Sequence, residues 1–541
     1  MTLNMCGIVA VLGRPNDHQV GRALQALMRR GPDEAQAMHV ESDLWMAHTR
    51  LSINNPTSGA QPIEKGDWVL CCNGEIYNYK SLVDDISNSD CDAIIAALEQ
   101  HGDEAPKHLD GVFAYVAFNR ASKKIYIARD AIGVVPLYMG EFNNEVWIAT
   151  LLDAIPPRAE VQVVEPGTSC VIAMPQNHAP FVHWGPEYRL SGWDNGISIE
   201  THQNKIEQLL EAAVAKRLMG NVPWACLLSG GVDSTIVTKL AVKLAPKLRP
   251  DYPKVHTFCI GLEGSPDVAA AEAVAAELGT IHTSVVYTLE EAIQALEPTI
   301  HAIESFDVTT VRSSIPMWLL GKTMRKFGIK MCLSGEGSDE LFGGYLYNTY
   351  CPSRDEMAKE CKDKMQQLHG YDCLRANKSM GDWGIETRVP FLDQDVVQYV
   401  MNVLDPIHKL SGTHPNGPRP TKWLIRHLAN VGGVKDRVKA QFSDAVGKEH
   451  IRALKDYAEK HISDELLKTI QEAWKVKSPQ TKEAGMYRMH FQKKFTTESH
   501  AETCPYTDDT IACSTPRAFA WHEMFSSHKD ASGEAVLQCM P

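Results

Sequence analysis

The sequence predicts an α/β protein of two domains, with helix-covered antiparallel sheets in the first domain and a parallel sheet flanked by helices in the second. The chain has 541 residues, more than the roughly 250 to 300 residues at which a single hydrophobic core usually stops growing. Short apolar runs separated by turns dominate the first third, whereas strands alternate with helices beyond about residue 195. An apolar content of 44% and a charged content of 22% are close to globular averages, which favours a folded protein.

The first region contains apolar runs with the length and the turn-rich flanks of β-strands. The predicted strands cover residues 6–12, 45–53, 68–72, 112–118, 124–128, 146–149 and 169–173. Helical periodicity covers residues 21–30 and 91–101. Residues 180–197 are rich in Gly, Pro, Asn, Ser and Trp and have no usable period, which is typical of a domain seam. We therefore predict domains at residues 6–195 and 196–541.

The second region alternates strand, turn and helix. Strand patterns cover residues 224–228, 255–261 and 330–333, helical patterns cover 234–247 and 268–278, and the remainder is mostly helical. Because strands that alternate with helices usually pair in parallel, this region predicts one parallel sheet with helices on its faces.

Charge and hydropathy narrow the possible partners. A formal net charge of -13 would repel a phosphate backbone, and no basic stripe offsets it, which argues against nucleic acid. No stretch reaches the ~18 uncharged residues of a membrane span, and the N-terminus lacks the pattern of a signal peptide. We therefore predict a cytoplasmic protein with no membrane partner, in which most of the 14 cysteines are reduced core thiols. Cys6 is the exception.

Cys6 carries two groups that could act in one reaction. A thiolate attacks amide carbons, and a free α-amine on the same residue, with a pKa of roughly 7.7 to 8.0, can be its base. Arg50, at the end of a predicted strand, would bind an α-carboxylate. The segments 73–78 and 89–92 contain acids that would bind an α-ammonium, and an amide and backbone N–H groups that would stabilise an oxyanion. These residues supply what a glutamine-cleaving pocket needs.

Together these segments resemble the class II glutamine amidotransferases. The signature pieces of that family are a Cys-Gly-Ile start, an Arg-Gly-Pro-Asp turn, an Asn-Gly-Glu-Ile-Tyr-Asn loop and an Arg-Asp-x-x-Gly-x-x-Pro-Leu-Tyr stretch, found here from Cys6 and at residues 30–33, 73–78 and 129–138. The resemblance implies an Ntn-hydrolase-type αββα antiparallel sandwich with Cys6 as nucleophile. It implies an oxyanion hole at Asn73 and Gly74 and glutamine contacts from Arg50, Leu51, Ser52, Ile53, Asn73, Gly74, Glu75 and Asp90.

The chain departs from the family pattern at its start, because Met1 to Met5 precede the cysteine that is the first mature residue in that family. We expect either translation from Met5 with removal of that methionine, or cleavage of a short propeptide. Without one of these events the base would be lost and the glutaminase would be inactive. Thr49 and Ala131 are smaller departures.

A possible phosphate site follows the strand at 224–228. The turn Ser229-Gly230-Gly231-Val232-Asp233-Ser234 leads into a helix, so that backbone N–H groups and the helix dipole can face an anion. It lacks the Gly-Lys-Ser/Thr of a Walker A loop. The turn resembles the PP-loop of ATP pyrophosphatases, which implies ATP contacts from Ser229, Gly230, Gly231, Asp233 and Ser234, and transfer of AMP rather than phosphate.

A second, acid-rich turn covers residues 334–340. Beside a pyrophosphate, Asp233 and Asp339 would be suitable Mg²⁺ ligands, since this ion favours one or two carboxylates plus phosphate oxygens. Mg²⁺ with ATP is therefore the expected cofactor, and Glu336 would face the reacting carbonyl.

The C-terminal region resembles the glutamine-hydrolysing asparagine synthetases in residues 309–313, 334–340, 386–393, 439–444 and 512–514. The resemblance implies a parallel-sheet α/β PP-loop synthetase domain with extra helices, in which Leu228 and Ile260 flank the nucleotide. Glu336 would serve to form and use a β-aspartyl adenylate, and Lys439 would neutralise the adenylating phosphate. The remaining implied contacts are Ser334 and Gly335 for ATP, and Thr309, Thr310 and Arg312 for aspartate or pyrophosphate.

We therefore expect an enzyme that makes asparagine from the small molecules aspartate, glutamine and ATP, and that forms a homodimer, since dimers are common. A related amidotransferase or a β-lactam synthetase-type enzyme acting on another carboxylate is the nearest alternative. A non-catalytic descendant that kept the fold is a second one.

Overall fold

The computed structural model describes residues 6–31, 33–54, 59–83, 89–174, 178–193, 196–412, 419–437, 447–506 and 514–526. Two antiparallel sheets of six strands form the first part of the chain, and a parallel sheet of five strands forms the second. The predicted fold class is confirmed in both halves.

The first part contains twelve strands and three helices among the described residues. The strands are β1 (Gly7–Leu12), β2 (Glu34–Glu41), β3 (Leu44–Arg50), β4 (Ile63–Lys65), β5 (Trp68–Ile76), β6 (Gly111–Asn119), β7 (Lys124–Arg129), β8 (Tyr138–Phe142), β9 (Glu145–Ala149), β10 (Glu160–Val163), β11 (Thr168–Ala173) and β12 (Val182–His183). The helices are α1 (Asp17–Leu27), α2 (Tyr79–Leu82) and α3 (Asp92–His101). The sheet orders are β10-β8-β9-β1-β3-β2 and β12-β11-β7-β6-β5-β4.

The alternation of side chains in β1 explains the layered packing. Ile8 and Ala10 pack between the two sheets with residues of β5 and β6, whereas Val9 and Val11 pack on the other face with Leu27 of α1. Because both faces of the strand are buried, its sequence is a continuous apolar run rather than an alternating one. Helix α3 covers the outer face of the second sheet, which gives the αββα sandwich.

The second part is built on the order β15-β14-β13-β16-β17, with all pairings parallel. Its strands are β13 (Trp224–Leu227), β14 (His256–Gly261), β15 (Ile281–Val286), β16 (Met331–Leu333) and β17 (Glu386–Arg388). Its helices are α4 (Ile199–Arg217), α5 (Val232–Leu248), α6 (Pro266–Leu278), α7 (Leu289–Ile303), α8 (Val308–Lys326), α9 (Ser338–Phe342), α10 (Arg354–Gln367), α11 (Asp372–Gly381), α12 (Gln394–Asn402), α13 (Lys448–His461), α14 (Asp464–Ala473), α15 (Lys482–Gln492) and α16 (Glu498–Glu502).

Short 3-10 helices complete the described elements, at Gly102–His108, Leu152–Ala154, Leu346–Tyr350, Leu368–Gly370, Pro390–Leu392, Pro406–His408, Arg426–Ala429, Val434–Asp436, Pro516–Trp521 and Glu523–Ser526. Within the described ranges, every helix is too short or too polar to cross a membrane.

Several strands were not predicted, namely β2, β4, β8, β10, β12, β15 and β17. No residue of β2 is buried and β17 has only three residues, so neither shows the apolar run on which the prediction depended. The domain boundary near residue 195 stays a prediction. It falls between the end of β12 at His183 and the start of α4 at Ile199, and residues 194–195 lie outside the described ranges.

A buried polar cluster joins the two parts. Lys378 donates to the Tyr138 hydroxyl at 2.7 Å and pairs with Glu304 at 2.5 Å. Glu304 also accepts the backbone N–H groups of Leu152 and Asp153, each at 2.9 Å. Since breaking a buried pair leaves an uncompensated charge, this cluster fixes how the two sheet systems sit against each other.

Candidate functional site

Cys6 lies immediately before β1, in a position held by two neighbouring segments. The backbone N–H of Leu51 donates to Sγ of Cys6 at 3.3 Å, and Nε of Arg30 donates to its carbonyl oxygen at 3.2 Å. Burial raises the pKa of the Cys6 thiol to about 12, with smaller contributions in the same direction from the carboxylates of Glu386 and Glu75. A base is therefore needed to generate the thiolate at neutral pH.

Asn73 and Gly74 lie near the end of β5. The strand was predicted to end at residue 72, but it continues to Ile76, so both residues belong to the sheet rather than to a loop. Nδ2 of Asn73 is buried and has no hydrogen-bond acceptor among the described residues. Gly74 has a φ of +140°, and a Cβ there would lie 2.0 Å from the carbonyl oxygen of Val112. An unused buried donor is what an oxyanion site requires.

Glu75 and Asp90 form an acidic pair beside these donors. The side-chain amide of Asn54 donates to Glu75 at 2.5 Å and to Asp90 at 3.3 Å, and the backbone N–H of Ile76 donates to Asp90 at 2.8 Å. Burial raises the pKa of both carboxyl groups. Two acids held together in a buried pocket favour a cationic ligand, and an α-ammonium fits this description.

Arg50, Ser52 and their neighbours border the same pocket. The Arg50 guanidinium lies 3.7 Å from the Glu34 carboxylate and 3.5 Å from the carbonyl oxygen of Asn54. The backbone N–H of Ser52 donates to Asp33 at 2.8 Å. The loop at 51–53 is thus fixed by both the cysteine and the turn at 30–33, as the shared signature implies.

In the Arg129–Tyr138 stretch, the side chains of Arg129 and Asp130 hydrogen-bond to the backbone and hold the shape of the loop. Asp130 accepts backbone N–H groups from residues 132–135, and Arg129 donates to three carbonyl oxygens. Ala131 lies within this loop. Thr49, the other departure from the family pattern, donates its hydroxyl to the carbonyl oxygen of Leu27 at 3.2 Å.

An arginine of the second part of the chain contacts Glu75. Nη2 of Arg388, on β17, lies 2.9 Å from Oε1 of Glu75, and its Nε donates to Glu386 at 2.7 Å. Its Nη1 donates to the carbonyl oxygen of Arg217 at 2.9 Å. Sequence reasoning did not connect Arg388 with Glu75, because nothing in a linear pattern pairs residues from separate domains.

The turn at 229–234 joins β13 to α5 and borders a cavity in the second part of the chain. Gly230 has a φ of +68°, and a Cβ there would lie 2.6 Å from Ala270, so a glycine is required. Of the predicted nucleotide residues, those that line this cavity are Leu228, Ser229, Asp233, Ser234, Ile260, Ser334, Gly335, Glu336 and Asp339. Gly230 and Gly231 form the backbone of the turn.

Asp233 and Asp339 share one cation. Nζ of Lys422 lies 2.5 Å from Asp233 and 2.6 Å from Asp339, and the Ser338 hydroxyl donates to Asp233 at 2.7 Å. Gly344 allows this approach, since a Cβ there would lie 1.9 Å from Cε of Lys422. The two carboxylates are oxygen ligands of the kind that Mg²⁺ takes, and Lys422 pairs with both of them. No sequence signal singled out Lys422.

Glu336 lines the cavity beside the glycine turn and is held by an arginine that the sequence did not reveal. Nη2 of Arg375 donates to both carboxylate oxygens of Glu336 at 2.9 Å, and its Nη1 lies 2.5 Å from Asp372. Burial raises the pKa of Glu336, whereas the Arg375 charge opposes that rise.

The adjoining cavity contains two of the three predicted acceptor residues. It is lined by Thr309, Thr310, Ser313, Glu340, Tyr345, Lys364, Gln367, Leu368, Tyr371, Asp372, Arg375 and Ser514. The hydroxyls of Thr309 and Thr310 donate to Asp307 at 2.8 and 2.7 Å, at the start of α8.

Arg312, the third predicted acceptor residue, is directed elsewhere. Its guanidinium binds both carboxylate oxygens of Glu483, at 2.8 and 2.6 Å, and it lines neither cavity. A buried arginine needs such a partner, and Glu483 on α15 supplies it. Direct contact of Arg312 with a substrate therefore stays a prediction. Lys439 and residues 512–513 lie outside the described ranges. The roles predicted for them therefore stay predictions.

Comparisons with known proteins match a different family model to each half of the chain. A family model for a glutamine amidotransferase domain matches residues 5–176, and one for asparagine synthase matches residues 205–359 and 348–522. The chain is 39% identical over 98% of its length to asparagine synthetase [glutamine-hydrolyzing] 3 of Arabidopsis thaliana, covering 95% of that protein. It is 38% identical over 98% of its length to asparagine synthetase [glutamine-hydrolyzing] of Zea mays, covering 93% of it. The chain belongs to the family of glutamine-hydrolysing asparagine synthetases.

Proposed function

We propose that the protein makes asparagine from aspartate, glutamine and ATP, with glutamate, AMP and pyrophosphate as the other products. The observation that carries this proposal is the presence of two different pockets in one chain. A cysteine with an unused buried amide donor lies in one. A cavity beside the glycine turn, lined among others by Asp233, Glu336 and Asp339, forms the other, and an adjoining cavity shares Asp372 and Arg375 with it.

In the first pocket, the Cys6 thiolate attacks the side-chain amide carbon of glutamine, and the α-amine of Cys6 takes the thiol proton. This step requires that residues 1–5 have been removed. Asn73 Nδ2 and the backbone N–H of Gly74 stabilise the oxyanion. Arg50 binds the α-carboxylate, and Glu75 with Asp90 binds the α-ammonium. Ammonia leaves, and water then releases glutamate from the cysteine thioester.

In the second pocket, the β-carboxylate of aspartate attacks the α-phosphate of ATP, and the turn at 229–234 holds the leaving pyrophosphate. Ammonia then displaces AMP from the β-aspartyl adenylate beside Glu336. Asp233 and Asp339 would hold Mg²⁺ with pyrophosphate oxygens, and the ion would neutralise the charge of the leaving group. Leu228 and Ile260 would flank the nucleotide, and Lys439 would act on the phosphate.

The same proposal includes a homodimer in the cytosol without nucleic acid partners. The net charge of -13 supports the last point. An enzyme of the same architecture that acts on another carboxylate is the alternative, and it would have the same two pockets.

The test is asparagine formation from aspartate and Mg-ATP, run in parallel with glutamine and with ammonium, while AMP and pyrophosphate are followed. Asparagine with both donors, at one AMP per asparagine, is the expected result. If neither donor yields asparagine while another carboxylate supports AMP release, the acceptor is wrong and the alternative holds.

A further inference from the structure

A side chain of the second part of the chain reaches the nucleophile of the first pocket through an arginine. Nη2 of Arg30 donates to Oδ1 of Asn377 at 2.8 Å, and Nε of Arg30 donates to the carbonyl oxygen of Cys6 at 3.2 Å. Asn377 belongs to helix α11, whereas Arg30 follows α1. One guanidinium therefore bridges the backbone of Cys6 and a helix of the other part of the chain.

This bridge is buried at both ends. Arg30 is 2% exposed and Asn377 is 3% exposed. Burial lowers the pKa of Arg30 to about 10, which is still far above neutral pH, so the guanidinium stays charged. A hydrogen bond from a charged donor is stronger than one between neutral groups, and a buried donor that loses its acceptor is costly. The bond to Asn377 therefore has a large share in fixing the orientation of Arg30.

The position of Cys6 depends in turn on Arg30. Pairing of β1 with its neighbouring strand begins at Gly7, so Cys6 itself lies outside the strand hydrogen bonds. Its side chain accepts the backbone N–H of Leu51, and its carbonyl oxygen accepts Nε of Arg30. Under the proposed function residues 1–5 are removed, so no preceding peptide bond restrains the residue that carries the thiol and the α-amine.

We propose that Asn377 is a positioning residue for the cleavage of glutamine, because it holds the Arg30 guanidinium, which holds Cys6 in the orientation for attack. Asn377 acts through Arg30 and not on the substrate itself. A reacting group displaced by about 1 Å can lose roughly 100-fold in rate. This inference rests on the proposed function, in which Cys6 cleaves glutamine, and it makes that reaction dependent on a helix of the second part of the chain.

Helix α11 also serves the second pocket, so general damage to the helix can be recognised. Arg375, two residues before Asn377, binds Glu336. A substitution that distorts α11 would disturb this pair and lower synthesis from ammonium as well. A substitution that acts only through Arg30 would leave synthesis from ammonium unchanged.

The test compares Asn377→Leu with Asn377→Asp in the full-length enzyme, with glutamine and with ammonium as nitrogen donor. Leucine is close in size but has no acceptor, whereas aspartate keeps an oxygen for Arg30. In Asn377→Leu we expect the kcat for release of glutamate from glutamine to fall roughly 10- to 100-fold. The KM for glutamine and the kcat of synthesis from ammonium should stay within about threefold. Asn377→Asp should release glutamate at a kcat within about threefold of wild type.

A double variant tests whether Asn377 acts through Arg30. Arg30→Met should lower the kcat for glutamate release at least as much as Asn377→Leu does. Combining the two substitutions should slow the reaction by no more than about twofold beyond Arg30→Met alone, because residues that act in one chain of contacts are not additive. Additive losses would overturn the inference, since they would show that Asn377 acts independently of Arg30.

The matched control is Asn402→Leu, which removes another buried asparagine of the second part of the chain. Asn402 accepts the backbone N–H of Arg189 at 2.8 Å and donates to the carbonyl oxygen of Glu187 at 3.0 Å. Its loss should lower the Tm without changing the kcat for glutamate release.

Three results would overturn the inference and leave the proposed function standing. They are a wild-type kcat for glutamate release in Asn377→Leu, a loss of the same size in Asn377→Asp, and equal losses with glutamine and with ammonium. A wild-type enzyme that releases no glutamate from glutamine would refute both the inference and the proposed function.

Discussion

The glutamine pocket and the nucleotide pocket neutralise the negative charge of their buried carboxylates in different ways. In the glutamine pocket, Glu75 takes its counter-charge from Arg388, a residue of the other domain's sheet. In the nucleotide pocket, Asp233 and Asp339 share Lys422, which belongs to the same domain. The first pocket is therefore complete only when the two domains are in contact, whereas the second is self-contained. A change that weakens the contact between the domains should therefore lower the rate of synthesis from glutamine more than the rate of synthesis from ammonia.

The sharpest separation of the two pockets is expected from Cys6→Ala. Removing the nucleophile should lower glutamine-dependent synthesis at least about 1000-fold, because no covalent intermediate can form. Synthesis from ammonium should stay within about twofold. Both rates are measured as asparagine formed, with Cys351→Ala, a half-buried thiol outside both pockets, as the control. Loss of the ammonium-dependent reaction would contradict the idea of two separable pockets.

The converse change is Asp233→Ala. It removes a predicted Mg²⁺ ligand and the partner of Lys422, so synthesis from both donors should fall by roughly 100-fold or more. Release of glutamate from glutamine should persist, since Cys6 and its pocket are untouched. The two rates can be followed in one reaction mixture. Asp395→Ala, a change at an exposed carboxylate, is the control, and equal loss of glutaminase would show that the nucleotide pocket is not self-contained.

A smaller effect should appear in Arg388→Met, which tests the dependence on domain contact directly. The variant leaves Glu75 buried without its cation, and we expect the KM for glutamine to rise roughly 10-fold and the Tm to fall. The KM for ammonium should change by less than about threefold.

Arg14→Met, at an exposed ion pair with Asp43, controls for the loss of a guanidinium. Adding Glu75→Gln to Arg388→Met should restore part of the lost Tm, because the uncompensated charge is then gone. If the KM values for glutamine and for ammonium rise equally in Arg388→Met, Arg388 acts only on the stability of the fold.

Local sequence patterns predicted the fold and the glycine turns, but they could not predict contacts between segments that are far apart in the sequence. The continuous apolar run of β1 is recognisable in the sequence because both faces of the strand are buried. The turn at 229–234 is recognisable because a helix begins there, which dictates the residue types. No such sequence pattern marks Arg388, Lys422 or Arg375. Each is an ordinary basic residue in sequence, and its importance comes from a carboxylate that a different element brings within 3 Å.

Arg312 illustrates the opposite difficulty. Its place in the segment 309–313 predicted a substrate contact, yet the guanidinium binds Glu483 on α15. A sequence segment records which residues occur together but not which way each side chain points, so Thr310 and Arg312 were assigned one role although they face different surroundings.

The smallest expected effect concerns His450, which lies behind Arg312. Its Nε2 lies 2.9 Å from the Arg312 carbonyl oxygen and its Nδ1 lies 3.0 Å from the Tyr287 hydroxyl. Burial lowers the pKa of His450 to about 4. The folded state therefore keeps His450 neutral while the unfolded state takes up a proton below about pH 6.5, so stability is lost as the pH falls from there towards 4. The loss between pH 7 and pH 5 should be about 2 kcal/mol.

His450→Gln removes this proton uptake and should reduce the fall in Tm between pH 7 and pH 5. His461→Gln, at an exposed position of the same helix α13, should leave that fall unchanged. If His450→Gln and wild type lose the same Tm on acidification, His450 accepts its proton in the folded state. The packing behind Arg312 would then tolerate a charge.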